Sequence, residues 1–196
     1  MYISSFFNTS FRNCSFVKAD FRSADLNKTR FYECDLDGAD FKGAKRISSA
    51  LVITYENNGG HVTEVKRSLS TYLDEKGIEY KDVGCNGESC DYPDVAKDVC
   101  TLIQNGDAEK GILICGTGIG ISIAANKHKG IRAALCTDSY MAQFTRLHND
   151  SNILCMGGRV IGGGVAVEIT EAFLGTEFEG GRHQRRIDKI SALEEN

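Results

Sequence analysis

Two rules of hydrophobic spacing divide the chain. Over the first fifty residues a large apolar side chain returns at every fifth position: Phe6, Phe11, Phe16, Phe21, Leu26, Phe31, Leu36 and Phe41. Small residues stand two places before each, namely Ser4, Thr9, Cys14, Ala19, Ala24, Thr29, Cys34 and Ala39. A helix repeats every ~3.6 residues and a strand every ~2, so neither explains this register, and a fixed short period marks a solenoid. From Leu51 onward the rule changes. Leu51-Val52-Ile53-Thr54-Tyr55 reads as a buried strand, followed by a Gly59-Gly60 turn. Val65, Leu69 and Leu73 give helical spacing over 62–76, which Gly77 stops, and residues 78–83 form a second strand. Pro93 opens a helix to about Gln104, a position that suits proline. Strands over 111–115, 131–136 and 153–156 then alternate with helices over 119–127, 139–147 and 164–174. Continuously apolar strands between helices predict an α/β fold: a doubly wound, Rossmann-like parallel sheet covered on both faces. The expected domains are a repeat segment over 1–46 and an α/β domain over 51–196, with ligands beyond the carboxyl ends of its strands.

Composition narrows the classes. The 196 residues carry a net charge of −4 and no lysine- or arginine-rich run, so neither nucleic acid nor an anionic membrane is an expected partner. No apolar stretch approaches the ~20 residues that cross a bilayer. Met1 to Phe7 lacks a basic region leading into an apolar core, so a cytoplasmic location is expected. Eight cysteines are present, most inside apolar runs, where a thiol acts as a small hydrophobe, and a disulfide framework belongs to short secreted chains. Cys85 and Cys90 alone resemble a metal half-site, and no matching second half follows, so no metal is expected.

Candidate chemistry gathers after the strand over 111–115. Cys115 closes it and Gly116-Thr117-Gly118-Ile119-Gly120 leads into a helix. Three glycines let amide hydrogens converge on one point, which suits a phosphate or a developing oxyanion. The spacing is not that of a dinucleotide fingerprint, and no Gly-Lys-Ser/Thr follows. A thiol at a helix N-terminus favours the thiolate, although a buried structural cysteine explains the local pattern equally well.

The stretch from Gly111 to Lys127 resembles the ribose-5-phosphate isomerase B family, which includes galactose-6-phosphate isomerase. Four further stretches agree in order and spacing: Asp91-Tyr92-Pro93, residues 130–134, His148-Asn149-Asp150, and residues 179–186. The resemblance implies aldose–ketose isomerisation of a phosphorylated sugar through a cis-enediolate, ribose 5-phosphate to ribulose 5-phosphate first among candidates. It implies that Cys115 is the base, that Thr117 assists at the hydroxyls, and that Gly116, Gly118 and Gly120 stabilise the enediolate. It further implies that His148 opens the sugar ring, that Asn149 holds the enediolate, that Tyr92 lines the sugar site, and that Arg159, Arg182 and Arg186 grip the phosphate. No metal or organic cofactor is implied. The site would be completed across a homodimer, alone or in a dimer of dimers. The first segment resembles the pentapeptide repeats, with Ala19-Asp20-Phe21-Arg22-Ser23 and Ala39-Asp40-Phe41-Lys42-Gly43 as its closest units. That likeness implies a right-handed square β-helix of about two coils, acting as a cap or an oligomerisation surface. Its mixture of basic and acidic residues gives no acidic face of the kind that mimics nucleic acid.

One motif departs from the pattern. After its first strand the isomerase family carries Gly-x-Asp-His-x-Gly, whereas this chain has Glu56 and Asn57 at the sugar-contacting places, with His61 further on. Glutamate keeps the charge and adds a methylene. A hexose 6-phosphate (allose or galactose), or sugar-phosphate binding with weak catalysis, therefore stand as alternatives.

Overall fold

The computed structural model describes residues 10–12, 14–22, 24, 30–32, 35, 40, 51–55, 60–84 and 90–195. Within the repeat segment, β1 (Ser10–Arg12) pairs in parallel with β2 (Arg30–Tyr32), Phe11 standing opposite Phe31. Isolated bridges join Ser15 to Asp35 and Asp20 to Asp40. Every partner lies twenty residues on, so one coil takes four five-residue units. Phe11, Phe16 and Phe21 meet edge to face in a row, with ring centroids 5.0 and 5.5 Å apart, and Phe21 and Ala24 are buried. Among the described residues the five-residue period thus stacks these three phenylalanines on one another.

Among its described residues the α/β domain has five parallel strands. In sheet order they are β4 (Tyr80–Asp82), β3 (Leu51–Tyr55), β5 (Lys110–Cys115), β7 (Ile153–Gly157) and β6 (Ala133–Leu135). Strand order reverses between β3 and β5, the switch point beyond which doubly wound folds hold ligands. Among the described residues six α-helices complete the domain: α1 (Gly60–Glu75), α2 (Tyr92–Gln104), α3 (Ile119–Ala125), α4 (Ser139–Asn149), α5 (Gly163–Gly175) and α6 (Arg182–Ser191).

Two cores explain the unbroken apolar strands. Ile112 and Ile114 of β5, with Leu154 and Met156 of β7, pack under Val65, Leu69, Ile169 and Phe173 of α1 and α5. The alternate positions Leu113, Cys115, Ile153 and Cys155 pack under Ala96, Val99, Ile121 and Ala125 of α2 and α3. Side chains still alternate along each strand, but both faces are dry.

Local chemistry sets the helix ends. Asp138 caps α4 by accepting from the Met141 amide at 2.8 Å. The Ile78 amide closes α1 on the Leu73 carbonyl at 2.9 Å, with Gly77 in the turn. Two expectations need correction, and one helix was not foreseen. The strand over 131–136 shortens to β6, because Ile131 is taken into a turn on the His128 carbonyl. Helix α6 has no counterpart in the hydrophobic pattern, since it buries only His183 and Ile187. Cys90 is disulfide-bonded rather than a free thiol, which withdraws it from any metal half-site.

Candidate active site

Cys115 is the last residue of the central strand β5, buried and turned toward α2 and α3. The chain reverses at once over the end of β7. Thr117 backbone atoms lie where a side chain on Gly157 would sit, 2.6 Å from an added Cβ, so only glycine lets the turn fold there. Gly118 then takes φ +78°, and its amide donates to Cys115 Sγ at 3.2 Å. The Thr117 hydroxyl is exposed and accepts from the Ile119 amide at 3.4 Å. The sulfur therefore accepts a backbone amide hydrogen at the carboxyl end of the central strand.

Two predicted residues flank this turn. The Tyr92 ring, at the start of α2, lies over Gly120, its Cζ 2.8 Å from where a Cβ would be. The Arg159 guanidinium lies against Gly116, its Cζ 3.3 Å from the equivalent point, and the Arg159 amide donates to the Gly116 carbonyl at 3.0 Å. Cys115, the glycine turn, Tyr92 and Arg159 thus form one group.

A second group lies at the end of α4. His148 stacks flat on His183, ring centroids 4.1 Å apart and planes 4° off parallel, while Phe144 meets it edge-on at 5.0 Å. Glu179 Oε2 lies 3.7 Å from His148 Nε2 and 3.5 Å from His183 Nε2. Arg182 Nε donates to His183 Nε2 at 3.3 Å. Burial holds the His183 pKa below the ordinary histidine range, with His148, Arg182 and Arg186 adding to that shift and Glu179 opposing it. His148 and Asn149 line a groove of about 370 Å³ with Leu135, Tyr140, Met141 and Phe144. Arg186 is exposed on α6, one helical turn after Arg182. His148, Glu179 and His183 form a cluster of metal-ligand type, but the neighbouring Arg182 already donates to its buried histidine, and we assign it no ion.

Leu135 joins the two groups, touching the space beside Gly118 and lining the His148 groove. Glu56 and Asn57 lie outside the described residues, and His61 is exposed in the first turn of α1. Sequence reasoning assigns no role to His183 or Glu179. Nothing local signals one, because His183 is buried only by contacts made across the fold.

Residues 54–190 match the ribose/galactose isomerase family, and residues 4–43 match pentapeptide repeats in eight copies. The chain is 48% identical to ribose-5-phosphate isomerase B of Escherichia coli over 132 residues, 67% of this chain and 89% of that protein. It is 44% identical over 133 residues to D-erythrulose-4-phosphate isomerase of Pectobacterium atrosepticum, 67% of this chain and 88% of that one. The solved structure of Clostridium thermocellum ribose-5-phosphate isomerase B superposes with a TM-score of 0.70 at 46% identity, covering 74% of this chain and 97% of its own.

Proposed function

The chain belongs to the ribose/galactose isomerase family of aldose–ketose isomerases, and from that premise we propose that it interconverts ribose 5-phosphate and ribulose 5-phosphate with Cys115 as the base. The observation that carries this reading is the Cys115 sulfur at the carboxyl end of β5, hydrogen-bonded to the Gly118 amide. In the forward direction His148 opens the sugar ring by general acid–base catalysis. Cys115 then removes the C2 proton of the open aldose and the electrons move onto O1 to give a cis-enediolate; the O2 proton passes to O1, and the proton held by Cys115 returns to C1 as O2 becomes the ketone. Amides of Gly116 to Gly120 stabilise the enediolate, with Thr117 and Asn149 at its hydroxyls. Tyr92 lines the sugar, and Arg159, Arg182 and Arg186 hold the phosphate, for which planar guanidinium suits bidentate contact.

We place the working site between two copies of the chain. Ile119, Ile123, Val160 and Tyr140 are more than half exposed at 52, 56, 57 and 67%, an apolar surface around both residue groups that a homodimer would cover. The relative named for erythrulose 4-phosphate favours keeping other sugar phosphates as a second reading. A coupled assay with ribose 5-phosphate, erythrulose 4-phosphate, and allose and galactose 6-phosphates tests the choice. Cys115→Ala should lower kcat by about 10²–10⁴-fold while sugar-phosphate binding persists. Unchanged turnover would remove Cys115 from the mechanism.

A further inference from the structure

The turn after α4 is built from more charge than a helix end requires. Asp150 takes φ 45° and ψ 45°, left-handed for a residue that is not glycine. Two guanidiniums hold it there. Arg146 Nη1 donates to Asp150 Oδ1 at 2.8 Å and to the Ser151 carbonyl at 2.6 Å. Arg132 Nη2 donates to Asp150 Oδ2 at 3.1 Å and to the Asp150 carbonyl at 2.9 Å, while its Nε reaches the Asn149 carbonyl at 3.0 Å. Arg132 is itself anchored, its amide donating to Asn152 Oδ1 at 2.9 Å.

Arg146 is buried, at 5% exposure, and lies over the Phe173 ring. A buried guanidinium is costly unless its donors are used, and here its Nε reaches on to the Thr176 carbonyl at 3.3 Å. That bond ties the end of α4 to the segment that delivers Glu179, Arg182 and His183. The Glu179 amide adds a second tie, donating to the Leu147 carbonyl at 3.1 Å. His148 and Asn149 sit in the final turn of α4, where a helix frays unless it is held.

We propose that Arg132, Asp150 and Arg146 form a positioning clamp for the ring-opening step: by fixing the last turn of α4 against the 176–183 segment they set His148 at its angle to the sugar. The clamp rests on the isomerase reading above. None of the three residues touches substrate; each acts through His148. General acid–base catalysis needs hydrogen-bond reach to the ring oxygen and anomeric hydroxyl, so a small swing of the imidazole carries a large rate penalty.

Two substrates separate positioning from plain stability. Ribose 5-phosphate enters as a ring and must be opened. Ribulose 5-phosphate has its terminal hydroxyl phosphorylated and closes no five- or six-membered ring, so exchange of solvent deuterium into it needs Cys115 but not ring opening. Asp150→Asn keeps size and tolerance of the left-handed conformation while removing the charge. We expect its kcat on ribose 5-phosphate to fall by about 10–100-fold with KM little changed, and deuterium exchange into ribulose 5-phosphate to fall less than about threefold. His148→Asn should show the same split, and Arg132→Gln should follow it. If Asp150→Asn folds poorly, Asp150→Gly decides, since glycine adopts φ 45° freely yet loses both ion pairs. Equal loss of both rates, or loss of neither in a folded variant, overturns the clamp and leaves the isomerase reading standing. A wild-type protein inactive on both sugars overturns that reading and the clamp with it.

Discussion

Gly118→Ala, measured against Gly130→Ala, tests whether the Cys115 turn is shaped by close packing or only by backbone handedness. Both glycines have positive φ, +78° and +75°. Adding a Cβ to either forces an L side chain into the left-handed region, at about 1–2 kcal/mol. At Gly130 nothing lies within 4 Å of the new carbon, so that strain is the whole effect. At Gly118 the Cβ would meet Leu135 Cδ1 at 2.4 Å and the Met156 carbonyl carbon at 2.8 Å. Leu135 is a side chain and can rotate, but Met156 backbone belongs to β7, paired on both edges. Overpacking of this kind costs about 1–3 kcal/mol more. For a chain of this size each kcal/mol lowers Tm by about 2–4 °C. Thermal unfolding followed by circular dichroism should therefore place Gly118→Ala about 2–12 °C below Gly130→Ala. The displaced Gly118 amide also leaves Cys115 Sγ, so kcat should drop by about tenfold in Gly118→Ala alone. If both variants melt together, the close approach of Gly118 to β7 does not govern the turn.

Three further outcomes follow from other parts of the molecule. The pKa of His183 is held low by burial, so above the unfolded-state value of about 6.5 both states are neutral, and below it the unfolded chain binds protons first. Stability should therefore fall as pH drops below that value, and His183→Asn should flatten the slope of Tm between about pH 7 and pH 5. An unchanged slope would assign the acid sensitivity elsewhere. Arg186→Ala removes binding shared by substrate and transition state, so steady-state kinetics should show KM raised and kcat little altered. Deleting residues 1–46 should weaken dimerisation or lower Tm if the repeat segment caps the isomerase domain, and sedimentation with thermal melts on the shortened chain would expose the opposite result.

The sheet was legible in the sequence for one physical reason. Ile112 and Ile114 face one helix layer while Leu113 and Cys115 face the other, so burial on both sides merges the strand's alternation into one apolar run. The twenty-residue register of β1 and β2 likewise follows from four units of five. Helix α6 was hidden because its exposed face carries most of its residues, leaving His183 and Ile187 too few to mark a period. The site divided in the same way. Cys115, Thr117 and the glycines are chain neighbours, and a turn of that composition announces itself. His183 and Glu179 lie some thirty residues beyond His148, and Arg132 meets Asp150 across eighteen positions. Such pairings exist only once β6, α4 and the 176–183 segment are folded together. The state of Cys90 escaped similarly, since a cysteine count carries no pairing.

Position in the fold, rather than residue type, separates the proposed base from Cys100, Cys136 and Cys155. Cys155 stands on the neighbouring strand β7, opposite Leu113, two residues short of the level of Cys115. Burial raises its pKa well above the ordinary thiol range, and burial pushes Cys100 and Cys136 up to about 12. Those three stay protonated at neutral pH and serve as packing. Cys115 belongs to the same apolar face as Cys155, yet it is where β5 ends and the chain turns back. There the Gly118 amide reaches its sulfur, and Thr117, Tyr92 and Arg159 stand around the turn. A cysteine moved two residues back along β5 would lose that amide and join the inert group. The carboxyl end of the strand therefore supplies a backbone donor at the sulfur of the proposed base, and the doubly wound fold puts it beside its switch point.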